Sequence, residues 1–272
     1  MKQIPKLIRK SLQCAFTIIA GLSTIVGLWG YTVKDINPNF PWWKWGLILF
    51  ICFLFLTVLI HSILKKDEHK PYTTRINGKP VLIKVGDVFS EPGWKLIPFN
   101  ERFDTDVDDH IIAHNTLNGK MIDYYVSDLD ALRLRIANAR QDSSCFTPTI
   151  INDRLIYPLG RLISYESFLM LSFSHFDENE IAYIDISEYE QLLIRMWNEM
   201  RRVYAAKHIS LPLIGGGVTT IHGIQEKNYT NLLKCILCTL RNSRFQPDQG
   251  ITIVLTQDAI NQIDMNAIRE EF

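Results

Sequence analysis

Residues 211–218 read LPLIGGGV, an apolar stretch that runs directly into three consecutive glycines. The apolar run over residues 208–214 predicts a buried strand that stops where the glycines begin. Glycine has no Cβ atom, so the backbone can approach a ligand and successive N–H groups can surround an anion. No lysine follows at the spacing of a phosphate loop, which excludes a Walker-type nucleoside triphosphatase. The glycines therefore predict either an anion-binding loop or no more than a tight turn.

The sequence around this stretch alternates between helical and extended patterns. Ser187 and Glu190 have the spacing of a capping box. They precede a long helix with one apolar face, formed by Leu193, Met196, Trp197, Met200 and Tyr204. A second helix is predicted over residues 229–241 and an apolar strand over residues 251–255. This order predicts an α/β fold in which a mixed sheet carries helices on both faces, with the chemistry at the strand ends.

The first half of the same region supplies further strands. Asn77-Gly78 has the composition of a hairpin turn between two short runs rich in β-formers. A helix is expected to begin near Ser127 and to continue to about Arg140. The predicted strands cover residues 72–76, 81–85, 94–99, 168–176 and 181–186.

The N-terminal part of the chain is apolar in two blocks. No Asp, Glu, Lys or Arg occurs between Ser11 and Val33, or between Trp45 and Leu64. About 20 apolar residues suffice to cross the hydrocarbon layer of a membrane. The second block is rich enough in Leu, Ile, Phe and Val for an insertion energy of roughly −6 kcal/mol. We therefore expect transmembrane helices over about 12–33 and 45–64, in a membrane region of residues 1–66 that precedes a soluble domain of residues 67–272.

The first block is the weaker of the two. It contains several Gly, Ser and Thr residues, and basic residues precede it, so a secretory signal peptide is the alternative interpretation. Its length and the second span that follows at once favour a membrane helix. Ser23 and Gly27 form a small-xxx-small pair, which is typical of a surface that packs against other helices.

Basic residues at the flanks predict the orientation of the two spans. They cluster before the first span and after the second, and the connecting loop carries only Lys34 and Lys44; the flanking residues are Lys2, Lys6, Arg9, Lys10, Lys65, Lys66, Lys70 and Arg75. Positive residues stay in the cytoplasm. The chain is thus expected to be a multi-pass protein of the cell inner membrane with both termini cytoplasmic.

Composition excludes some other classes of protein. The chain has 29 basic and 29 acidic residues, so no net charge favours nucleic acid. Five cysteines without an obvious pairing pattern agree with a reducing compartment. Cys235 and Cys238 have no second pair to complete a zinc site, so packing in a helix is the simpler interpretation.

Three short motifs together resemble a macro domain. KVGDV at residues 84–88 ends an early strand, IPFN at residues 97–100 ends the next, and LPLIGGGV follows in the same order. With two N-terminal spans, the whole chain resembles the macro-domain type of Thoeris A proteins, which are bacterial anti-phage effectors. The resemblance implies a macro fold and no metal or other cofactor.

The resemblance also implies a ligand, ADP-ribose or a derivative of it, and the residues that hold it. Asp87 matches the carboxylate that accepts a hydrogen bond from the adenine amino group, and Asn100 matches the residue near the distal ribose. Residues 215–219 match the loop that surrounds the diphosphate, and residues 255–257 border the adenine. The complete set of implied ligand-binding residues is Asp87, Val88, Phe99, Asn100, Asn118, Gly119, Ile214, Gly215, Gly216, Gly217, Val218, Thr219 and Leu255.

One departure from the family pattern bears on catalysis. Hydrolytic macro domains have a second glycine-rich loop soon after the asparagine, whereas FDTDVDDH stands here at residues 103–110. Only Asn118-Gly119 could partly replace that loop. A ligand-binding effector without catalytic residues is therefore expected. The alternatives are a membrane-tethered ADP-ribosyl hydrolase and a purely structural membrane protein with a degenerate fold.

The acidic run at residues 103–110 allows several interpretations. Its aspartates have calcium-loop spacing, but the sixth position is Asp109 and the twelfth is Asn115, so an EF-hand is excluded. His110 and His114 could bind a metal if they lay on a helix, and a solvated loop is the simpler reading. A further option is recognition of a cationic group on the distal ribose of the ligand.

The resemblance finally implies partners. A partner enzyme with a Toll/interleukin-receptor (TIR) domain would consume NAD during infection and release an ADP-ribose derivative. An ADP-ribosylated amino acid such as histidine is the form we expect. Binding of this signal nucleotide would lead to self-association into oligomers that disrupt the lipid bilayer, as in abortive infection.

Overall fold

The computed structural model describes residues 6–29, 41–68, 70–142, 147–177 and 181–272. The chain divides into two compact units, residues 1–70 and residues 71–272. The described residues of the first unit form helices, and those of the second form a sheet and helices.

The first unit consists of two long helices, α1 (Lys6–Leu28) and α2 (Trp42–Glu68), which pack against each other. Ser11 and Ala15 are fully buried, and Ser11 Oγ lies 3.5 Å from His61 Nδ1 of α2. Most of the large apolar side chains of both helices are exposed instead. Segments Ile8–Leu28 and Trp43–Ile63 are long and apolar enough to cross a membrane.

The helix bounds differ somewhat from the predicted spans. α1 begins at Lys6, before the expected start near residue 12, because helical backbone continues into the basic flank. Residues 30–33 of the first predicted span and Lys34 lie outside the described residues. A Cβ atom built on Gly27 would meet no atom within 4 Å, so α2 does not cover this part of α1.

In the described part of the second unit, nine strands form one mixed sheet and two more form a small hairpin. Their bounds are β1 Tyr72–Ile76, β2 Lys79–Val85, β3 Trp94–Asn100, β4 Thr149–Ile151, β5 Arg154–Ile156, β6 Leu162–Tyr165, β7 Phe168–Phe176, β8 Ala182–Asp185, β9 Ile209–Pro212, β10 Thr220–His222 and β11 Ile251–Leu255. The order across the main sheet is β1-β2-β11-β9-β3-β7-β8-β10, and β6 also pairs with β7.

Five neighbouring strands of this sheet run parallel: β2, β11, β9, β3 and β7. β1, β6 and β8 are antiparallel to their neighbours, and β10 is parallel to β8. Because parallel strands point the same way, their carboxyl ends meet at one edge of the sheet, which is where ligands bind in open α/β sheets.

Helices cover both faces of the sheet. One face packs against α3 (Leu117–Tyr125) and α4 (Leu129–Asn138). The other packs against α5 (Ile186–Val203), α6 (Tyr229–Asn242), α7 (Gln257–Gln262) and α8 (Met265–Glu271). Successive strand residues alternate between the two apolar cores, as Leu96 and Ile97 do. The predicted α/β architecture with helices on both faces is confirmed.

Two predicted helix starts were wrong by one or two residues. α5 begins at Ile186 directly after β8, so its N-cap is Asp185 and Ser187 lies inside the first turn. The capping box read from Ser187 and Glu190 is therefore absent. At α4 the cap is Asp128 rather than Ser127, because Asp128 Oδ1 accepts a hydrogen bond from Ala131 N at 2.9 Å.

The predicted ends of one helix and one strand were also wrong. α4 stops at Asn138, and the chain then makes a 3-10 turn over residues 139–141. The strand predicted to reach Ile214 ends at Pro212, so Leu213 and Ile214 already belong to the glycine loop. Tyr204 is the C-cap of α5 and is half-buried against the same core as the other predicted residues of the apolar face, which are fully buried.

Candidate functional site

The candidate site lies at the carboxyl edge of the parallel strands. Gly86 N, just after β2, donates a hydrogen bond to Leu255 O at the end of β11, at 3.1 Å. Val254 of β11 pairs in turn with Pro212 at the end of β9. The sheet register therefore brings the Gly86-Asp87 step and the glycine loop to the same edge.

A buried tyrosine side chain forms a hydrogen bond to the backbone of the glycine loop. Tyr189 of α5 donates its hydroxyl hydrogen to Ile214 O at 2.7 Å. A Cβ atom on Gly215 would lie 3.1 Å from the Tyr189 ring, and Gly215 has a positive φ of 82° that favours glycine. Burial raises the pKa of Tyr189 well above its usual value, so the hydroxyl stays protonated as a donor. A buried hydrogen bond and a close ring contact thus support the start of the loop.

The tip of the loop leaves backbone groups accessible. Gly216 N donates to Leu213 O at 3.0 Å, which closes a turn. Beyond it, Gly217 is exposed, and a Cβ atom there would meet nothing within 4 Å. The N–H groups of Gly217 and Val218 donate to no acceptor in the described part of the chain. The loop is therefore a tight turn that also presents N–H donors, the combination that an anion site requires.

Asp87 is exposed at the same edge and caps the short 3-10 turn that follows it. Its Oδ1 accepts from Phe89 N at 3.1 Å, and its Oδ2 lies 3.4 Å from Ser90 Oγ. Phe89 stacks on Tyr125 of α3, with ring centroids 4.6 Å apart and ring planes inclined by 6°. The carboxylate is thus oriented by local hydrogen bonds next to an aromatic pair that the sequence did not suggest.

Asn100 ends β3 as predicted and is buried. Its Oδ1 accepts from the backbone N–H groups of Arg102 and Asp104, at 2.9 and 3.3 Å. Its Nδ2 is buried and has no hydrogen-bond partner among the described residues. The amide therefore orders the turn that leads into the acidic run and keeps one donor unused.

A histidine between two glutamates stands beside Asn100. His175 Nδ1 lies 2.5 Å from Glu101 Oε2, and Nε2 lies 3.5 Å from Glu188 Oε1. The hydrogen bond to Glu101 raises the pKa of His175, and burial opposes that shift. These residues come from β7, the β3 turn and α5, so no sequence motif joins them.

Several of the predicted site residues have side chains in the core. Val88, Phe99, Ile214 and Leu255 are all buried. Only their backbone atoms could therefore reach a ligand. Val218, in contrast, is exposed, and Thr219 is half-buried.

Asn118 and Gly119 lie in the first turn of α3 rather than in a loop. Gly119 N donates to the N-cap hydroxyl of Thr116 at 3.2 Å. A Cβ atom on Gly119 would come within 2.3 Å of Ala113 O. Close packing at a helix start accounts for this glycine, and its N–H is already in use.

The acidic run forms an ordered loop whose carboxylates are engaged locally. Asp108 Oδ1 accepts from the N–H groups of His110 and Ile111, at 2.9 and 2.8 Å, and the hydrogen bond from Ile111 contributes most to lowering its pKa. Asp106 pairs with Arg133 of α4 at 2.8 Å. The loop borders an open cavity of about 490 Å³ between itself, α3 and α4.

His110 and His114 are exposed in this loop and not on a helix, so the helical metal pair considered from the sequence does not form. His114 Nδ1 lies 2.6 Å from Asp123 Oδ2, and this hydrogen bond raises the pKa of His114. Within the described ranges, no three metal-type side chains cluster. Cys235 and Cys238 lie on α6, as predicted.

The sequence missed one cation at the glycine loop. Lys227 lies between β10 and α6, and its Nζ donates a hydrogen bond to Gly217 O. Burial lowers the pKa of its ammonium group. Nothing in the local sequence indicates this contact, because it depends on how the nine intervening residues fold.

A parallel-strand edge with a Gly-Asp step after β2, a terminal asparagine on β3 and a glycine loop after β9 defines a macro domain. Residues 81–256 match the family model described as Thoeris protein ThsA, Macro domain. The chain is 30% identical over 238 residues to the Thoeris protein ThsA of Bacillus amyloliquefaciens (strain Y2), which covers 82% of this chain and 78% of that protein. The chain belongs to the Thoeris ThsA family, a family of anti-phage defence proteins.

Solved macro domains are more distant. The Oceanobacillus iheyensis macrodomain with ADP is 15% identical, with a TM-score of 0.47 over 75% of this chain and 98% of that one. A point mutant of the same macrodomain with ADPR is 16% identical, with a TM-score of 0.48 over 75% and 100% of the two chains.

Proposed function

We propose that this protein is a membrane-anchored anti-phage effector whose macro domain, residues 67–272, senses an ADP-ribose derivative. Membership in the ThsA family supports the defence role. The observation that carries the ligand class is the glycine loop after β9, which presents unused N–H donors at the sheet edge that also holds Asp87. An ADP-ribosylated amino acid such as histidine, made by a TIR-domain partner, is the proposed signal.

The site supports binding rather than catalysis. The loop after Asn100 is ordered by aspartates that accept backbone and arginine hydrogen bonds, and no second glycine loop stands there. Asn118-Gly119, the one possible substitute, is part of a helix. An ADP-ribosyl hydrolase remains the alternative, and release of ADP-ribose from an ADP-ribosylated substrate by the purified protein would establish it.

The affinity of the full-length protein for ADP-ribose, measured by calorimetry in detergent, tests the ligand class. We expect binding, and we expect Asp87→Ala to weaken it by roughly 1.5–3 kcal/mol, the range for a hydrogen bond to a charged group. The reason is that the carboxylate would accept the adenine amino hydrogen bond. A wild-type protein that binds no ADP-ribose would refute the proposed function.

Loss of the local cap is the confounding effect, since Asp87 also accepts from Phe89 N. Asp128→Ala is the matched control, because it removes the same kind of cap from α4. The Asp128 carbonyl accepts from Tyr165, which precedes β7, so this site lies toward the opposite edge of the sheet. Equal affinities for the Asp87→Ala and Asp128→Ala variants would place the adenine elsewhere.

Membrane anchoring is proposed for residues 1–66. α1 and α2 expose large apolar side chains, among them Phe16, Leu28 and Phe55 at 68, 80 and 70%. An apolar surface of this size is unfavourable in water and favourable in contact with lipid chains. From the basic flanks we expect the protein to lie in the inner membrane of the cell with both termini in the cytoplasm.

Topology is open to a direct measurement. A reporter fused after Phe272 is expected to show a cytoplasmic location, and a tag inserted at residues 37–39 is expected to be accessible from outside. The reason is the excess of basic residues on the termini over that in the loop. A C-terminus outside the cytoplasm would contradict the proposal, since the signal nucleotide is made inside the cell.

A further inference from the structure

We propose that Lys227 is a ligand-binding residue whose ammonium group contacts the diphosphate held by the glycine loop. This inference rests on the proposed function and adds to it a charged contact that the family resemblance does not supply. The residue lies outside every motif considered above, in the connection between β10 and α6.

The side chain of Lys227 ends at the glycine loop. Lys227 Nζ donates to Gly217 O, the carbonyl that precedes the N–H group of Val218. The ammonium therefore lies at the loop tip, and the Val218 N–H, which donates to no described acceptor, points to the opposite side of this trans peptide. A diphosphate that accepts from the Val218 N–H would lie across this peptide from the ammonium, within reach of the lysine once its flexible side chain leaves Gly217 O.

The charge of Lys227 also favours a bound anion. Lys227 forms no ion pair with any carboxylate in the described residues, and its neighbour Glu226 is exposed. Burial lowers the pKa of Lys227, and no carboxylate among the described residues opposes that shift. A half-buried cation without a counter-charge is unfavourable, and an incoming anion would relieve that cost.

The helix that follows adds to this positive region. α6 begins at Tyr229 with Asn228 as its N-cap, so Lys227 stands immediately before the cap. The N-terminus of a helix carries a partial positive charge, and a cation there is disfavoured. Lysine is thus a poor choice at this position for stability alone, whereas the ammonium, the helix end and the loop N–H groups all favour a bound diphosphate.

Two roles of Lys227 must be separated by experiment: bracing the loop through Gly217 O, and contacting the phosphate through its charge. Lys227→Gln retains a hydrogen-bond donor and removes the charge, Lys227→Arg retains the charge, and Lys227→Met removes both. The control is Lys79→Gln, because Lys79 begins β2 at the opposite edge of the sheet and pairs there with Asp248.

Affinities for ADP-ribose and for adenosine, which has no phosphate, are measured by calorimetry on the full-length variants in detergent. We expect Lys227→Gln and Lys227→Met each to weaken ADP-ribose binding about tenfold or more, as for loss of a charge-assisted hydrogen bond. Lys227→Arg and Lys79→Gln should stay close to wild type, and adenosine binding should change in none of them.

Each other outcome has a defined meaning. If Lys227→Gln binds ADP-ribose as the wild type does, the ammonium is no phosphate contact and the inference is wrong, whatever Lys227→Met does. An equal loss of adenosine affinity would show that Lys227 only supports the shape of the site, which also overturns it. Failure of the wild type to bind ADP-ribose would instead refute the proposed function itself. If Lys227→Met does not fold, the glutamine and arginine variants still decide.

Discussion

The affinity of a Gly216→Glu variant for ADP-ribose should fall about a hundredfold or more, the largest effect expected at the site. The substitution places a side chain and a negative charge where the diphosphate would lie, and a like charge at an interface costs several kcal/mol. Infection-triggered toxicity should disappear with binding, while the protein still reaches the membrane. Calorimetry and survival of infected cells are the two measurements.

Folding must be separated from binding in this experiment. A Cβ atom on Gly216 would lie 3.1 Å from the Leu213 side chain and carbonyl, a tight but adjustable contact. Gly217→Glu brings the same charge one residue further on, where a Cβ atom meets nothing, so this variant keeps the loop unstrained. Gly216→Gln has nearly the same shape without the charge. If both glutamate variants bind as the wild type does, the glycines are no more than a turn.

The second large effect concerns assembly of the full-length protein. Two helices of one molecule are too few to enclose a water-filled path, since the backbone facing lipid must satisfy its own hydrogen bonds. The proposed membrane damage would therefore require several copies. A signal that moves the associated fraction from about 1% to 99% must favour the associated form by roughly 5.5 kcal/mol. We expect ADP-ribosylated histidine, the proposed signal, to convert the protein in detergent into larger assemblies and to cause dye leakage from liposomes.

The surface of α1 around Gly27 is where we expect the copies to meet. Gly27 is exposed on its helix, and Ser23 one turn earlier is exposed on the same side. Gly27→Leu should abolish assembly and toxicity, because the larger side chain prevents close approach of a second helix. Its ligand affinity, measured at dilutions where the wild type is unassociated, should be unchanged.

Gly21→Leu is the matched control for that experiment. A Cβ atom on Gly21 also meets nothing within 4 Å, so neither substitution disturbs the packing of α1 on α2. At about 3.6 residues per turn, Gly21 lies on a different side of the helix from Gly27. Leakage without any change in assembly size would rule out the oligomer mechanism.

Strands bounded by strong turn chemistry were predictable from the sequence. Asn77 and Gly78 both have positive φ, 52° and 78°, as the predicted two-residue hairpin turn requires. β1, β7 and β11 have the predicted bounds, because β1 stops at that turn and the apolar runs of β7 and β11 stop at polar residues. Short elements carried no such signal: β10 has three residues, and α7 and α8 only one or two turns.

The failed capping box shows how a local pattern can mislead. Ser187 and Glu190 match the spacing, but β8 passes directly into α5 without a connecting loop, so the last strand residue, Asp185, takes the cap position. That choice is made by the pairing of β8 with β7 and β10, which no short window of sequence reveals.

The candidate site likewise contains residues that the sequence predicted and residues that it did not. Asp87, Asn100 and the glycine loop lie at or just after the ends of strands, and the resemblance to macro domains identified them from short motifs at those ends. Lys227 and His175 reach that edge through tertiary folding, the first across a loop and the second from β7 to the turn after β3. Their own neighbours in sequence contain no trace of these contacts.

The order of the strands also has a consequence for synthesis on the ribosome. β2 lies between β1 and β11, so Val81 has no parallel partner until Ile251 has been made. The apolar helices, in contrast, leave the ribosome first. The nascent chain must therefore hold β2 with an open edge until β11 has been made, and β3 until β9 has been made, a state prone to aggregation. Long separation between partners also slows folding. Completion of the sheet, and with it the ligand site, is necessarily one of the last steps in the maturation of this protein.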